Sequence, residues 1–205
     1  NSNTPTIEGT AEAGSTVELF NGSNPIGTAT ADGNGNFSIV SSQLADADYT
    51  LTVTATDEAG NTSDPSTGLA ITIDTTVPIQ PSITTTTSLT NSNTPTIEGT
   101  AEAGSTVELF NGSESLGTVN AGNDGNFSIV SSQLADADYT LTVTATDEAG
   151  NTSEPSTGLN ITIDTTAPAT PVITTTTLLT KDNTPTIEGT AEAGSTVELF
   201  NGSES

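Results

Sequence analysis

The chain has 205 residues and a formal net charge of −25 at pH 7, from 26 acidic residues and one basic residue, Lys181. Nucleic acid and anionic membranes are excluded as partners because both bind basic surfaces, and no apolar run approaches the roughly 18 residues that indicate membrane insertion. Histidine and cysteine are absent, so the chain lacks the residues from which most enzymes build a nucleophile and its general base, and we expect no catalytic activity.

One stretch of sequence occurs three times without change, at residues 4–23, 94–113 and 184–203. The offset is 90 residues each time, and the sequence between the copies repeats with few substitutions. A fixed period of this length indicates a tandem array of like domains. Near-identical neighbours favour a spacer over an enzyme, because a catalytic site does not work better when it is strung in a row.

The middle copy predicts seven short β-strands, A to G in chain order. The first five are expected at these residues: A at 82–87, B at 94–101, C at 106–109, D at 116–120 and E at 127–129. Apolar side chains such as Val107 and Leu109 alternate with polar ones, as in strands that have one buried face. The Asn-Asp-Gly-Asn turn at 123–126 is typical of a β-hairpin, so we expect strands D and E to pair directly.

Strand F shows the clearest alternation, and strand G follows the same rule. Their inward positions are Tyr139, Leu141, Val143 and Ala145 in strand F, and Leu159, Ile161 and Ile163 in strand G. Seven short strands in about 90 residues are typical of a two-sheet antiparallel sandwich, so the predicted fold class is all-β. Tyr49 and Tyr139 lie where such sandwiches have a tyrosine corner, in which the phenol holds the loop between strands E and F.

The expected domain boundaries are shifted from the repeat boundaries. Repeat one, residues 1–76, lacks its own strand A, repeat two, residues 77–166, is complete, and repeat three, residues 167–205, has only strands A to C. A fragment as small as repeat three exposes its apolar face and should not fold alone. Either the chain is a window on a longer protein, or strand A of repeat three, at about 171–179, completes repeat one of another copy.

Four segments of the chain are specific enough to suggest a family: TPTIEGTAEAGSTVELF, ADGNGNFSIV, LADADYTLTVTATDEAGNTS and ITIDTTAP. They resemble the bacterial Ig-like repeats of giant surface adhesins, the RTX and biofilm-associated proteins exported by type I secretion. The likeness covers the whole chain. It implies tandem Ig-like seven-stranded sandwiches arranged end to end, which form an extracellular stalk that holds a distal binding domain away from the cell. In this family calcium stiffens many of the domain junctions.

The strand order places acidic residues of consecutive repeats near one another. The end of strand G in one repeat should face the B–C and F–G loops of the next, where a metal site would use Asp74, Glu102, Asp147, Glu148 and Asn151. Converging carboxylates, loop carbonyls and water could supply the roughly six to eight oxygens that Ca²⁺ binds. A chain without His or Cys is poorly suited to zinc or copper. The corresponding positions elsewhere are Asp164, Glu192, Glu12 and Asp57.

Other interpretations stay open from the residues alone. The segment from Asp147 to Asn151 could be only a polar turn, in which Asp and Asn bind their own backbone. The leading function is a rigid extender whose partners are neighbouring repeats of the same protein. The second is a subunit of an extracellular filament, joined to other copies by strand complementation. The third, ligand binding by the loops, is weakest because the loops lack Trp, Arg and His.

Overall fold

A computed structural model describes residues 1–176 and 179–202. Within these ranges all the assigned secondary-structure elements are β-strands, which confirms the all-β prediction. No helix in the described ranges is long and apolar enough to cross a membrane. Two residues of the predicted strand A of repeat three, and the last three residues of the chain, lie outside the described residues.

The described strands divide among the three repeats. Repeat one contains β1 (Thr6–Thr10), β2 (Thr16–Asn21), β3 (Asn24–Thr30), β4 (Asn36–Val40), β5 (Ala47–Thr56) and β6 (Leu69–Ile73). Repeat two contains β7 (Ser82–Ile83), β8 (Leu89–Thr90), β9 (Thr96–Thr100), β10 (Thr106–Asn111), β11 (Glu114–Asn120), β12 (Asn126–Val130), β13 (Ala137–Thr146) and β14 (Leu159–Ile163). Repeat three contains β15 (Val172–Ile173) and β16 (Gly189–Thr190).

Repeat two consists of two sheets around one core. One sheet has five strands in the order β11–β10–β13–β14–β8, and the other has three in the order β12–β9–β7. Neighbouring strands are antiparallel, except that β8 runs parallel to β14. This arrangement confirms the two-sheet sandwich.

The period-two alternation decides which side chains form the core. Ile97, Leu109 and Leu141 have no exposed surface and belong to one cluster of buried apolar residues. Successive side chains of a strand point to opposite faces of the sheet, so the threonines between the apolar positions of β13 lie on the outer face. The tyrosine corner is also confirmed, since the hydroxyl of Tyr139 donates to the carbonyl of Ala135 at 3.1 Å.

Two details of the predicted strand plan are wrong. Strand A does not run from 82 to 87, because β7 pairs with β9 in one sheet and the chain then crosses to pair β8 with β14 in the other. The amides of Thr84 and Thr85 both donate to the carbonyl of Glu98, which ends the ladder. Strands D and E do not form a hairpin either, because β11 and β12 belong to different sheets and the turn between them connects the two layers.

Strands β1 to β6 of repeat one correspond to β9 to β14 of repeat two. Among the described residues, repeat one has no counterpart of β7 and β8. Its sheets are β3–β2–β5–β6 and β1–β4. An open groove of about 490 Å³ lies along this side and is lined in part by Val53, Ala55 and Ser66. The equivalent residues of repeat two are buried, because β7 and the preceding linker cover them.

Repeat three shows the exposed apolar face that its length predicts. β15 and β16 pair through two residues each, and the apolar side chains beside them face solvent. Val172 is 58% exposed, Ile173 65% and Phe200 57%, whereas Ile163 at the end of repeat two is 1% exposed. Among the described residues of repeat three, no further strand covers these side chains.

Candidate functional site

The candidate site is the joint between repeats one and two. It is formed by the residues that follow β6 at the end of repeat one, and by the loop between β13 and β14 of repeat two, residues 147–158, which corresponds to the F–G loop.

A tight turn at the start of this loop places Asp147 and Asn151 side by side. The amide of Gly150 donates to the carbonyl of Asp147 at 3.2 Å, and Gly150 has φ of +84°, a conformation that a residue with a Cβ rarely adopts. The chain then turns back so that the amide of Asn151 donates to Asp147 Oδ1, and its side-chain Nδ2 donates to Asp147 Oδ2, both at 2.8 Å. These bonds, the side-chain one first, hold the pKa of Asp147 below its ordinary value.

Asn151 also makes the contact that crosses the joint. Its Nδ2 donates to the backbone carbonyl of Asp74 at 3.1 Å, and the residue is only 6% exposed. A second bond crosses nearby, from Asn1 Nδ2 to the carbonyl of Gly150 at 2.9 Å. The predicted proximity of Asp74 to the loop of Asp147 and Asn151 is therefore present, although the contact is made by the backbone of Asp74 and not by its carboxylate.

The segment that leaves each repeat is anchored by an aspartate that was not among the residues predicted at the joint. Asp46 accepts hydrogen bonds from the hydroxyls of Thr75 and Thr76, at 2.9 and 3.0 Å. Asp136 makes the equivalent bonds in repeat two. The pKa of Asp46 lies below its ordinary value, chiefly because of the Thr75 hydroxyl. The spacing of an acid near the tyrosine corner and a Thr-Thr pair after the last strand could have suggested this contact.

The remaining predicted acids lie around the same poles. Glu192 Oε2 accepts a bond from the backbone amide of Ala169 at 3.0 Å, so a B–C loop acid does contact the incoming linker at the second joint. Glu102 is exposed in the corresponding loop, and Glu148 is exposed beside Asp147. Glu12 is exposed at the pole of repeat one that faces away from repeat two, where Asn61 donates to Asp57 as Asn151 donates to Asp147. Asp164 Oδ1 accepts from the amide of Thr166 at 3.0 Å.

The donor atoms at the joint fit a hard cation in type but are not gathered on one point. Every available ligand is a carboxylate, amide or carbonyl oxygen, the set that Ca²⁺ prefers. Within the described part of the chain, however, no three acidic side chains lie close enough together to hold a metal ion. The Asn151 amide uses its nitrogen at the joint, which leaves its oxygen available. The calcium site stays a prediction.

Comparison with known proteins gives the family. The model of the family described as "Bacterial Ig-like domain" matches residues 1–75 and 81–165, which is most of the chain. The chain belongs to the bacterial Ig-like domain family. Domains of this family are generally not enzymes, and two of them stand in tandem here.

Three proteins illustrate what these bacterial Ig-like repeats are similar to. Exoglucanase B of Cellulomonas fimi is 32% identical over an alignment of 172 residues, which covers 75% of this chain but only 15% of that protein. The fibronectin(III)-like modules of Clostridium thermocellum CbhA share 18% identity and a TM-score of 0.51, over 77% of this chain and 85% of theirs. The BSP domain of a biofilm associated protein shares 24% identity and a TM-score of 0.36, over 80% of this chain and 28% of that one.

The coverage limits what these likenesses transfer. The chain spans about 15% of the length of exoglucanase B, so the match concerns a module of that protein and not its glucanase activity as a whole. The CbhA modules support the fold, two β-sandwich units in one chain. The bacterial Ig-like family and the sandwich architecture expected from the sequence are both confirmed.

Proposed function

We propose that this chain is a structural extender: a pole-to-pole array of bacterial Ig-like domains that holds another part of the same protein at a distance. The single observation that carries the proposal is the position of the joint. The end of β6 brings Asp74 to the F–G loop at the facing pole of the next sandwich, which supports repeats that follow one another pole to pole and not side by side.

Two further features support a stiff extender. The exit segment of repeat one is bonded to its own domain through Asp46, and the next residue inward, Asp74, is bonded to repeat two through Asn151. The linker also contains prolines at 78 and 81, and both are buried. A linker that is fixed at both ends and restricted in φ has few ways to bend.

We place the extender outside the cell, where it would project a distal binding domain from a surface. Its net charge of −25 favours solubility and disfavours contact between parallel copies. The chain has no cysteine, so its stability does not depend on the redox state of the compartment.

Nuclear spin relaxation tests the rigid extender. In a chain with a stiff joint, the ¹⁵N relaxation of residues in repeats one and two reports one elongated tumbling body, with a common long correlation time. Two independent and shorter correlation times would reject the rigid joint. Single substitutions at Asp46 and Asn151 should move the protein towards the second behaviour, while a substitution at the exposed Glu154 should not.

Calcium at the joint is the finer part of the proposal. Asp74, Glu102, Asp147 and Glu148 are the residues that would hold it, with Asn151 Oδ1 as a neutral ligand, and the ion would replace repulsion between acids of adjoining repeats with attraction. Calorimetric titration with CaCl₂ should give binding heat that is lost in Glu102→Gln and Asp74→Asn but kept in the control Glu154→Gln. Equal heats in all four proteins, or none in the wild type, would reject the site.

Strand complementation in a filament is the second candidate. The observation that favours it is the groove of repeat one, which exposes residues that β7 and its linker cover in repeat two. A synthetic peptide with the sequence of residues 77–90 should bind this groove if it accepts a strand from another chain. The same peptide with Ile83→Asp is the control, because Ile83 packs against the core of repeat two. No binding by the first peptide would reject this candidate.

A further inference from the structure

The Asp147–Asn151 pair has a counterpart in repeat one. Comparing the two pairs distinguishes the hydrogen bonds that form within the loop from the one that requires a neighbouring repeat. In repeat one, Asn61 donates from its backbone amide to Asp57 Oδ1 and from Nδ2 to Asp57 Oδ2, both at 2.8 Å. These are the same two bonds, at the same lengths, as in repeat two. Asn61 is exposed, whereas Asn151 is buried.

The orientation of the side-chain amide follows from its surroundings. The terminal nitrogen of Asn151 faces two acceptors, Asp147 Oδ2 and the carbonyl of Asp74. An amide nitrogen carries two N–H groups, so it can satisfy both, whereas an amide oxygen in that place would face two oxygens without a proton. The carboxylate therefore fixes one N–H and leaves the second directed at the pole of the domain.

We infer that the Asp–Asn pair of each repeat is a preformed hydrogen-bond donor to the preceding repeat, and that it orients the joint through a direct hydrogen bond without a metal ion. Its partner is the backbone carbonyl of the aspartate that follows the last strand of the preceding repeat. The inference rests on the proposed extender function and adds the residue that sets the angle between domains. Because Asp57 and Asn61 hold the same geometry with no repeat bound there, the arrangement costs little ordering when a repeat docks.

The contact also explains why the repeats can follow one another in any number. The receiving pair is identical in repeats one and two, and the delivering segment is Ile-Asp-Thr-Thr at both 73–76 and 163–166. A backbone carbonyl is independent of side-chain identity, so the linker residues after it can vary, as Val77 and Ala167 do, without loss of the bond.

Distance measurement between two spin labels tests the inference in the intact chain. The chain has no cysteine, so Ser38→Cys and Ser128→Cys, exposed and equivalent positions on β4 and β12, give one label in each repeat. All proteins are compared in excess EGTA, and the wild-type background is also measured with excess CaCl₂. We expect a narrow distance distribution in the wild-type background and a broad one in Asn151→Ala and Asn151→Asp. The population outside the main peak should rise about fivefold, which corresponds to the loss of one typical hydrogen bond.

The matched control is Asn61→Ala, which removes the same pair from repeat one, where it does not contact another repeat. Asn61→Ala should lower the melting temperature of repeat one about as much as Asn151→Ala lowers that of repeat two, but it should leave the distance distribution narrow. Equal distributions in Asn61→Ala and Asn151→Ala would overturn the inference, as would broadening in Asn151→Asp alone, since repulsion from Asp147 would explain it. If the wild type is broad with EGTA and narrow with Ca²⁺, the pair does not orient the joint but the rigid extender survives. If it is broad in both, the extender proposal fails as well.

Discussion

Ile97 and Ile7 occupy the same position in repeats two and one, but only Ile97 is fully covered. Ile97 is 0% exposed in the core beneath β7, and Ile7 is only partly buried at the groove. The substitution Ile97→Ala removes three buried carbon atoms, about 2.4 kcal/mol of transfer free energy at about 0.8 kcal/mol each. The cavity it leaves raises the expected cost to about 3–4 kcal/mol. Ile7→Ala loses less buried area and leaves no closed cavity, so we expect about 1 kcal/mol.

Differential scanning calorimetry can measure both effects in one chain, because each repeat is expected to unfold in its own transition. For a domain of this size, about 1 kcal/mol shifts the melting temperature by about 4–8 °C. Ile97→Ala should therefore lower the transition of repeat two by about 12 °C or more, and Ile7→Ala should lower that of repeat one by about 4–8 °C. Equal shifts would refute the reasoning, because they would mean that β7 and its linker do not seal the core of repeat two.

Three other predictions follow from contacts in repeat two. A Cβ at Gly99 would overlap the carbonyl of Ser82 in β7, so Gly99→Ala should detach β7 and speed hydrogen exchange in β9. Gly9→Ala should not speed exchange in the equivalent strand β1, because its Cβ would meet only a phenylalanine ring. Equal acceleration of exchange in the two strands would contradict this. Tyr139→Phe removes the corner hydrogen bond and should cost about 1 kcal/mol by denaturant titration, and no loss would reject the corner. The pKa of Asp136 is lowered by the Thr165 hydroxyl, so the stability that the ionised Asp136 contributes is present above the ordinary pKa of 3.8 and is lost as the pH falls through the lowered pKa. Below pH 3.8, the melting temperature should therefore fall less steeply with pH in Asp136→Asn than in the wild type. Parallel slopes would contradict the assignment.

Alternation in the sequence was sufficient for the fold class and for the core. Leu141 and Val143 were assigned inward on strand F by period two alone, and both are fully buried. The same argument could not place strand A, because Thr84 to Thr87 offer no apolar residue to fix a face. It also could not decide the partner of strand D, since alternation states which face is buried and not which strand supplies the hydrogen bonds.

One contact across the joint follows from the sequence, but the atoms that make it do not. The strand order was enough to bring Asp74 to the loop of Asp147 and Asn151. The contribution of the Asn151 nitrogen and of the Asp74 backbone could not be predicted in this way, because a main-chain carbonyl has no sequence pattern. The anchoring of the exit segment by Asp46 connects residues about 30 positions apart, so it could be predicted only by considering the acid near the tyrosine corner and the distant Thr-Thr pair together.

Small-angle X-ray scattering on arrays of one to four complete repeats tests the extender most directly. If the domains follow one another pole to pole, the maximum dimension should grow by the same increment with each added repeat. That increment should not be less than the length of the ten-residue strand β13, about 33 Å at roughly 3.3 Å per residue. Increments that shrink as repeats are added would show that the domains fold back on one another, and would contradict the account.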